Sequence, residues 1–190
     1  TGFIIASEVH SDNWELLYRF RDAGFGLANH TWSHANLNRV TAKEYINEIH
    51  KADALLLPLL TQPKYFRYPY LAMGTGDKQA EIRHYLAKEH YQIAPITTDS
   101  KDFIFNQCLF SVPELGRRNY FDELKPFYLD FIWHQTLRAQ EQSRARGNPD
   151  QAQILLIHAN LLNAYALPDI IKMYKQRGYT FISLNKALNP

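Results

Sequence analysis

Two histidines, His30 and His34, stand four residues apart in a short polar segment of this 190-residue chain. The segment, residues 29–34, has the sequence NHTWSH and directly follows an apolar stretch that is typical of a strand. If the segment turns helically, both imidazoles share one face and can bind the same divalent metal ion. Such a site needs a third ligand, commonly a carboxylate, and a pair of satisfied loop histidines is the alternative interpretation.

Polar and ionisable residues also follow three later apolar stretches. Residues 67–70 have the sequence RYPY, residues 98–103 have TDSKDF, and residues 158–160 have HAN. In parallel α/β proteins, the residues that do chemistry gather at the carboxyl ends of the strands. The four segments together therefore predict a functional site built from strand ends.

Two features of residues 67–70 suit catalysis. Arg67 can pair with a buried carboxylate and hold it ionised, although a surface salt bridge is the alternative for a lone arginine. Pro69 fixes its own backbone and restricts Tyr68. The backbone N–H of Tyr70 could then be held rigidly enough to stabilise an oxyanion.

His158 ends a strongly apolar run, so we expect it at the rim of the core. A neighbouring carboxylate favours the charged imidazole, and Asp99 or Asp102 could supply it. His158 would then serve as a general acid. A hydrogen-bonded core histidine is the alternative interpretation.

Short apolar runs alternate with amphipathic segments along the chain. The apolar runs predict strands at residues 3–6, 25–28, 65–67, 91–97, 153–157 and 179–184. Helices are predicted from Ser11 to Gly24, behind a capping box of Thr41 and Glu44, and at residues 77–89, 122–145 and 168–178, with residues 103–121 irregular. The alternation indicates one α/β domain over residues 1–190, with a parallel sheet and outer helices. An open doubly wound sheet and a barrel both fit it.

Composition excludes several classes of protein. Hydrophobic residues make up 46% of the chain and charged residues 21%, as in ordinary globular proteins. The 21 Lys and Arg residues against 19 Asp and Glu leave a charge of +2 with no basic stripe, which argues against nucleic-acid binding. The longest apolar run, residues 54–60, is interrupted by Pro58, whereas a bilayer span needs about 20 apolar residues. The single cysteine, Cys108, can form no internal disulfide.

The order of these segments along the chain resembles the order of the conserved motifs in polysaccharide deacetylases. These proteins are the NodB-homology group of carbohydrate esterase family four. Residues 29–34 are similar to the metal motif of that family, and residues 67–70 are similar to its third motif. Residues 99–103 are similar to the fourth motif, with Phe103 where tryptophan is usual, and residues 156–158 (LIH) are similar to the fifth. The β-α pattern extends the likeness over nearly the whole chain.

The resemblance implies a deformed (β/α) barrel and a hydrolase that removes acetyl groups from a polysaccharide or oligosaccharide. The usual substrate is the N-acetyl group of N-acetylglucosamine units, which makes the enzyme an amide hydrolase. His30 and His34 would bind a divalent metal ion, most often Zn²⁺, with Co²⁺ or Ni²⁺ as alternatives.

The resemblance also assigns roles to the other motifs. Arg67 would orient the catalytic base, and the N–H of Tyr70 would help to bind the oxyanion. Asp102 would tune His158, which would protonate the leaving amine. The residues expected to contact the acetyl group or the glycan are Leu156, Phe103, Tyr70 and Trp32.

One motif of the family is absent from the sequence. The family carries a pair of adjacent aspartates at the end of its first strand, where one is the base and the other is the third metal ligand, and this chain contains no Asp-Asp pair. Its first apolar run, residues 2–6, resembles the second strand of the family. We expect the first strand and its aspartates to lie upstream of Thr1. A natural protein that has lost catalysis is the competing interpretation.

Three functions therefore remain to be compared. The first is a metal-dependent deacetylase of the bacterial cell wall or another acetylated glycan, for which family analogy implies export from the cytoplasm. The second is a catalytically inactive glycan-binding barrel, and the third is a scaffold without a glycan role. The sequence does not predict an oligomeric state.

Overall fold

A computed structural model describes residues 1–189, which form two compact units: Thr1–Pro95 (unit 1) and the chain from Ile96 onward (unit 2). Unit 1 holds four short strands that pair in parallel in the order of the sequence. They are β1 (Gly2–Ile4), β2 (Leu27–Asn29), β3 (Tyr65–Phe66) and β4 (Gln92–Ile93).

The last residues of these four strands lie side by side. Ile4 pairs with Asn29, Asn29 with Phe66, and Phe66 with Ile93. The loops that follow the strands therefore start from one edge of the sheet. This register brings residues 29–34 and 67–70 together, as the strand-end argument predicts.

Three helices connect the strands of unit 1: α1 (Ser11–Asp22), α2 (Ala42–Leu56) and α3 (Gly76–Lys88). The predicted capping box at the start of α2 is confirmed. The Thr41 hydroxyl accepts the N–H of Glu44 at 3.2 Å, and the Glu44 carboxylate accepts the N–H of Thr41 at 2.8 Å. The helices cover a core whose fully buried members include Ile49, Leu56 and Phe66, and each such side chain contributes about 1.5–3 kcal/mol by leaving water.

Unit 2 is mostly helical. Strands β5 (Thr98–Asp99) and β6 (Leu155–Leu156) pair in parallel, with Asp99 opposite Leu156. The helices of the unit are α4 (Asp102–Phe110), α5 (Arg117–Ala145), α6 (Leu161–Gln176) and α7 (Leu184–Leu188). The buried core of the unit is formed by Leu109, Phe121, Tyr128, Ile132, Leu162, Ala166, Ile170, Met173 and Tyr174.

The prediction that residues 103–121 are irregular is wrong, because α4 extends to Phe110 and α5 begins at Arg117, before the predicted start at residue 122. Leu109 is fully buried, whereas Phe103 and Phe110 are about half exposed, at 49% and 51%. Apolar side chains therefore lie on both sides of α4, and the amphipathic period that indicates a helix is lost. The predicted breakers, Pro113 and Gly116, lie between α4 and α5.

Two further predictions in unit 2 are wrong. Helix α6 begins at Leu161 and not at Pro168, because the Asn160 side chain caps it by accepting the N–H of Asn163 at 2.9 Å. Residues 179–183 form no strand, and α7 begins at Leu184. Phe181 and Ile182 are 58% and 43% exposed, so this apolar run is not the buried strand that its composition indicates.

The α/β class with parallel strand pairing is confirmed. The finer predictions, a deformed barrel that lacks its first strand and a single domain, stay predictions. Within residues 1–189, no helix combines the length and hydropathy that crossing a bilayer requires.

Candidate functional site

The loop after β2 brings the two predicted metal ligands together. The ring centroids of His30 and His34 are 4.9 Å apart. The Nδ1 atom of His30 lies 2.7 Å from the carbonyl oxygen of Arg67. Because a carbonyl only accepts, Nδ1 carries the proton, and the lone pair of this imidazole is on Nε2. Metal-binding histidines are typically oriented by such a bond, so the donor set fits a divalent ion.

The two rings meet without the helical turn that the spacing predicts. Residues 30–36 form no helix, and Thr31 and His34 have φ angles of 68° and 59°. Residues other than glycine adopt this left-handed region at a cost, so the surrounding structure must hold them there.

Asn29 supplies much of that support. It is fully buried, and its Oδ1 accepts the N–H of Thr31 at 2.8 Å. Its Nδ2 donates to the carbonyl of Ile49 at 3.0 Å and to Asp53 Oδ1 at 2.9 Å. The start of the histidine loop is thereby tied to α2. Sequence reasoning assigned no role to Asn29, although it is the first residue of the histidine segment.

Arg67 is buried, which contradicts the surface salt bridge considered for it. It is 7% exposed, its Nε donates to the carbonyl of Ala94 at 3.2 Å, and its guanidinium lies 4.0 Å from the centre of the Phe3 ring. Burial lowers the pKa of Arg67 to about 10, so the group stays charged at neutral pH. No salt bridge joins it to a carboxylate within residues 1–189.

The turn that carries Tyr70 has an unusual backbone. Pro69 opens a 3₁₀ turn over Pro69–Leu71, in which Tyr70 and Leu71 both have a φ of 56°. The Tyr70 ring is 66% exposed and lies 4.5 Å from the His34 ring, centre to centre. The structure thus brings Tyr70 beside the histidine pair, whereas its role as an oxyanion donor stays a prediction.

A pocket of about 270 Å³ opens beside these rings, lined by His34, Asn36, Arg39 and Tyr70. Sequence reasoning missed Asn36 and Arg39. The signal that could have found them is their position, since both lie within five residues of His34 in the same loop. Trp32 is not among the lining residues, and Lys51 Nζ lies 3.8 Å above its ring.

Unit 2 contains the second group of predicted residues, centred on Asp102 and His158. Asp102 Oδ1 lies 2.7 Å from Nδ1 of His158, and Asp102 Oδ2 accepts the backbone N–H of His158 at 2.6 Å. The carboxylate is 1% exposed, whereas the imidazole is 50% exposed. Of the two aspartates considered as partners of His158, the structure selects Asp102, because Asp99 pairs with Lys101 Nζ at 2.6 Å.

Opposing effects act on the Asp102 carboxyl. Burial by itself raises the pKa of Asp102, because it disfavours the charged form. The hydrogen bonds from the ring and backbone of His158 and from Asn163 outweigh burial and hold that pKa below its usual range. Asp102 is therefore a carboxylate at neutral pH and accepts the Nδ1 proton of His158.

Three residues around this pair were missed by sequence reasoning. Asn160 and Asn163 donate to Asp102 Oδ2 at 3.1 and 2.5 Å, and the Tyr128 hydroxyl donates to Asn163 Oδ1 at 2.8 Å. Only Asn160 had a signal, because it stands two residues after His158 in the predicted strand-end segment.

The two apolar residues predicted around the acetyl group lie in unit 2. Leu156 ends β6, is partly buried and precedes His158 by two residues. Phe103 follows Asp102 in α4 and is 49% exposed. Their contacts with an acetyl group stay predictions.

Solved structures define the class of fold. The chain superposes on a peptidoglycan deacetylase from Bacillus subtilis with a TM-score of 0.65 and 21% identity, covering 98% of this chain and 74% of that one. A carbohydrate esterase family four pseudoenzyme from Bacillus anthracis matches with a TM-score of 0.60 and 18% identity, covering 94% and 51% of the two chains. This is the fold of the deacetylases in that family.

Sequence comparison finds relatives of the N-terminal half of the chain. Residues 1–93 match the family model described as polysaccharide deacetylase. A chitin deacetylase from Arthroderma benhamiae is 28% identical over 48% of this chain and 24% of its own length. A peptidoglycan-N-acetylglucosamine deacetylase from Bacillus cereus is 29% identical over 46% of this chain and 30% of its own length. Residues 1–93, just under half of the chain, are therefore similar to polysaccharide deacetylases, and the match spans less than a third of the length of either curated relative.

Proposed function

We propose that this chain takes part in the metal-dependent removal of acetyl groups from a glycan, with N-acetylglucosamine units as the preferred substrate. The observation that carries the proposal is the His30–His34 pair in the segment that matches the family. Its rings adjoin, and the Arg67 carbonyl leaves the lone pair of His30 on Nε2. This arrangement supports a metal ligand rather than a loop histidine whose only role is structural.

His30 and His34 would hold a divalent ion, with Zn²⁺ preferred over Co²⁺ and Ni²⁺ because it is the usual metal of the family that the chain resembles; two imidazoles are compatible with it. When bound, the ion acts as a Lewis acid on the acetyl carbonyl. Within residues 1–189, no three His, Cys, Asp or Glu side chains are grouped as a complete metal site. The two histidines are therefore proposed as part of the ligand set.

The other roles follow from the chemistry of amide hydrolysis. The buried Arg67 cation would orient a carboxylate that acts as the general base. The Tyr70 N–H would donate to the oxyanion. His158, with its Nδ1 proton held by Asp102, would take up a second proton on Nε2, and this imidazolium would donate the Nε2 proton to the departing nitrogen.

The glycan would be recognised mainly through apolar and aromatic groups. Leu156 and Phe103 would contact the acetyl methyl group, while the exposed Tyr70 ring would lie against a sugar face. Trp32 is the weaker of the proposed glycan contacts, because Lys51 covers one face of its ring.

An exported protein suits this substrate class. One curated relative and one structural neighbour are named for peptidoglycan, a polymer outside the cytoplasmic membrane. We therefore place the proposed activity at the cell envelope or outside the cell.

A zinc titration by calorimetry tests the metal site. The unmodified chain, His30→Ala, His34→Ala and the control His84→Ala are titrated side by side, since His84 is an exposed histidine of α3. We expect about one equivalent of zinc to bind to the unmodified chain and to His84→Ala, and neither of the other variants to bind it. Zinc binding that survives both substitutions, or its absence from the unmodified chain, contradicts the proposed site.

Acetate release tests the reaction itself. Chitooligosaccharides and peptidoglycan fragments are incubated with zinc-loaded protein, and free acetate and free amine are quantified. Equal amounts of acetate and amine support N-deacetylation, whereas acetate without amine would indicate an O-acetyl ester substrate.

A glycan-binding domain without catalysis is the second candidate. It is favoured by the lack of a complete three-residue metal group within residues 1–189 and by the likeness to a pseudoenzyme. Saturable binding of N-acetylglucosamine oligomers without acetate release at any zinc concentration would select it. Weakened binding in Tyr70→Ala would then identify the exposed ring as part of the binding surface.

A further inference from the structure

We propose that Asn163 and Tyr128 are positioning residues, which together fix the Asp102 carboxylate so that it holds the proton of His158 at Nδ1. The inference rests on the proposed role of His158 as a general acid. It adds two residues that lie outside the motifs and that contact no substrate.

The contacts form a continuous series of hydrogen bonds inside unit 2, from Tyr128 to His158. The Tyr128 hydroxyl donates to Asn163 Oδ1 at 2.8 Å, and Asn163 Nδ2 donates to Asp102 Oδ2 at 2.5 Å. Asp102 Oδ1 then accepts from His158 Nδ1 at 2.7 Å. Tyr128, Asn163 and Asp102 are 0%, 4% and 1% exposed, so water cannot readily replace a lost partner.

The orientation of the Asn163 amide follows from its neighbours. One end of the amide faces Asp102 Oδ2 and the carbonyl of His158, at 2.5 and 2.9 Å. Both atoms only accept hydrogen bonds, so this end must be the NH₂ group. The opposite end is the oxygen, and the Tyr128 hydroxyl must be the donor to it. Tyr128 therefore keeps the amide from turning its oxygen toward the carboxylate.

This arrangement determines which way the carboxylate points. Oδ2 accepts from the His158 backbone, Asn160 and Asn163, so rotation of the carboxylate would break three hydrogen bonds. Oδ1 is thereby aimed at Nδ1 of His158. The proton stays on Nδ1, and Nε2 is the nitrogen that can exchange a proton with a substrate.

The same pair of helices contains a matched control. Thr136 in α5 and Tyr174 in α6 share a buried hydrogen bond of 2.7 Å between their hydroxyls. Thr136 is 0% exposed and Tyr174 is 6% exposed. Tyr174→Phe and Tyr128→Phe each remove one buried hydroxyl from unit 2. Only Tyr128→Phe removes a hydrogen bond of the series that leads to Asp102.

The experiment compares Tyr128→Phe, Asn163→Leu and Tyr174→Phe with the unmodified protein. The first readout is the ¹⁵N NMR spectrum of the His158 ring, which reports the protonated nitrogen without any substrate. We expect a clear Nδ1–H signature in the unmodified protein and in Tyr174→Phe. In Asn163→Leu the signature should shift toward a mixture with Nε2–H, and Tyr128→Phe should show the same change more weakly.

The second readout is steady-state deacetylation by the zinc-loaded protein. Outer partners of metal-bound histidines typically contribute about 10–100-fold, and by analogy we expect kcat to fall by about that factor in Asn163→Leu while KM stays constant. Melting temperatures show whether a variant is folded. We expect Tyr128→Phe and Tyr174→Phe to have melting temperatures that are lowered by similar amounts. If Tyr128→Phe and Asn163→Leu match Tyr174→Phe in both the His158 ring spectrum and kcat, the positioning role is wrong.

Failure of the proposed function would have a different result. In that case no protein in the series, including the unmodified one, releases acetate. The ring spectra still decide the positioning role, because they need neither substrate nor turnover.

Discussion

Each unit contains one asparagine, one tyrosine and one aspartate that are largely shielded from water, and the hydrogen bonds within the two groups differ. In unit 1, Asn29 Nδ2 and the Tyr91 hydroxyl both donate to Asp53 Oδ1. The other oxygen of Asp53 accepts from Lys64 Nζ at 3.3 Å. This carboxylate is neutralised inside the protein, and its group holds the backbone of the histidine loop.

In unit 2, the tyrosine donates to the asparagine, and the asparagine donates to Asp102. The second oxygen of Asp102 accepts from the half-exposed imidazole of His158 and not from a lysine. The same three residue types therefore support a backbone in one unit and a proton-carrying side chain in the other. The difference is the partner of the second carboxylate oxygen, which is Lys64 for Asp53 and His158 for Asp102. Composition and burial alone do not reveal that partner.

The comparison predicts that removal of the negative charge matters most in unit 2. Both oxygens of Asp102 accept hydrogen bonds from N–H groups. In Asp102→Asn, the new NH₂ group must therefore face an N–H donor, and His158 loses the carboxylate that accepts its proton. We expect kcat for deacetylation to fall about 10²–10⁴-fold, the usual contribution of general acid catalysis. Asp53→Asn is the matched variant, and its kcat should stay within about threefold; an equal loss in both would break the comparison.

Asn29→Leu should mainly affect stability and metal binding. It leaves the N–H of Thr31 and the carbonyl of Ile49 without their buried partner, which should lower the free energy of unfolding by about 3 kcal/mol. Zinc affinity should fall about 10-fold, because the loop that carries His30 loses its support. Urea denaturation and calorimetry measure the two effects. Zinc affinity equal to that of the unmodified chain would show that Asn29 does not position the histidines.

Acid should weaken the folded state through Asp102. Because its pKa is lower in the folded protein than in the unfolded chain, ionised Asp102 contributes stability above the unfolded value of about 3.9. That contribution is lost as the pH falls through the lower pKa of the folded state. Between about pH 5 and pH 2, the free energy of unfolding should therefore decline more steeply for the unmodified chain than for Asp102→Asn. Parallel declines would mean that Asp102 has the same pKa in both states.

The smallest effect is expected for substitution of Lys64, which pairs with Asp53 in unit 1. Lys64 and Asp53 are each 21% exposed in their side chains, so their ion pair is largely but not fully shielded from water. Lys64→Met should lower the free energy of unfolding by about 1 kcal/mol or less and leave kcat unchanged. A large loss of activity in this variant would show that the unit 1 group also serves the reaction.

The local parts of the fold were accessible from the sequence. The capping box of Thr41 and Glu44 needs only residues three apart, and the His30–His34 pair lies within one loop. Amphipathic periodicity found α1 and α2, because each packs an apolar face against the core of unit 1, although no residue of α1 is fully buried. It failed for α4, where Phe103 and Phe110 are exposed beside a buried Leu109.

The supporting residues of the candidate site could not be predicted, because they depend on contacts distant in sequence. Asn163 lies 61 residues from Asp102 in the sequence. It also lies in the first turn of α6, which the sequence predicts to begin only at Pro168. Nor could spacing decide between Asp99 and Asp102. A left-handed backbone at Lys101, with a φ of 50°, separates the two carboxylates, and sequence patterns do not report such a conformation.

Left-handed backbone recurs where the predicted chemistry lies. The described residues other than glycine with positive φ are Thr31, His34, Tyr70, Leu71, His90 and Lys101, and all but His90 belong to loops that carry predicted site residues. A proposed ligand such as His34 is thus preorganised by backbone that the folded protein has already constrained. Arrival of a metal ion would require little further ordering, so its binding should carry a small entropic penalty. Replacement of Thr31 by glycine, which leaves both histidines in place, would relax the backbone and lose that advantage.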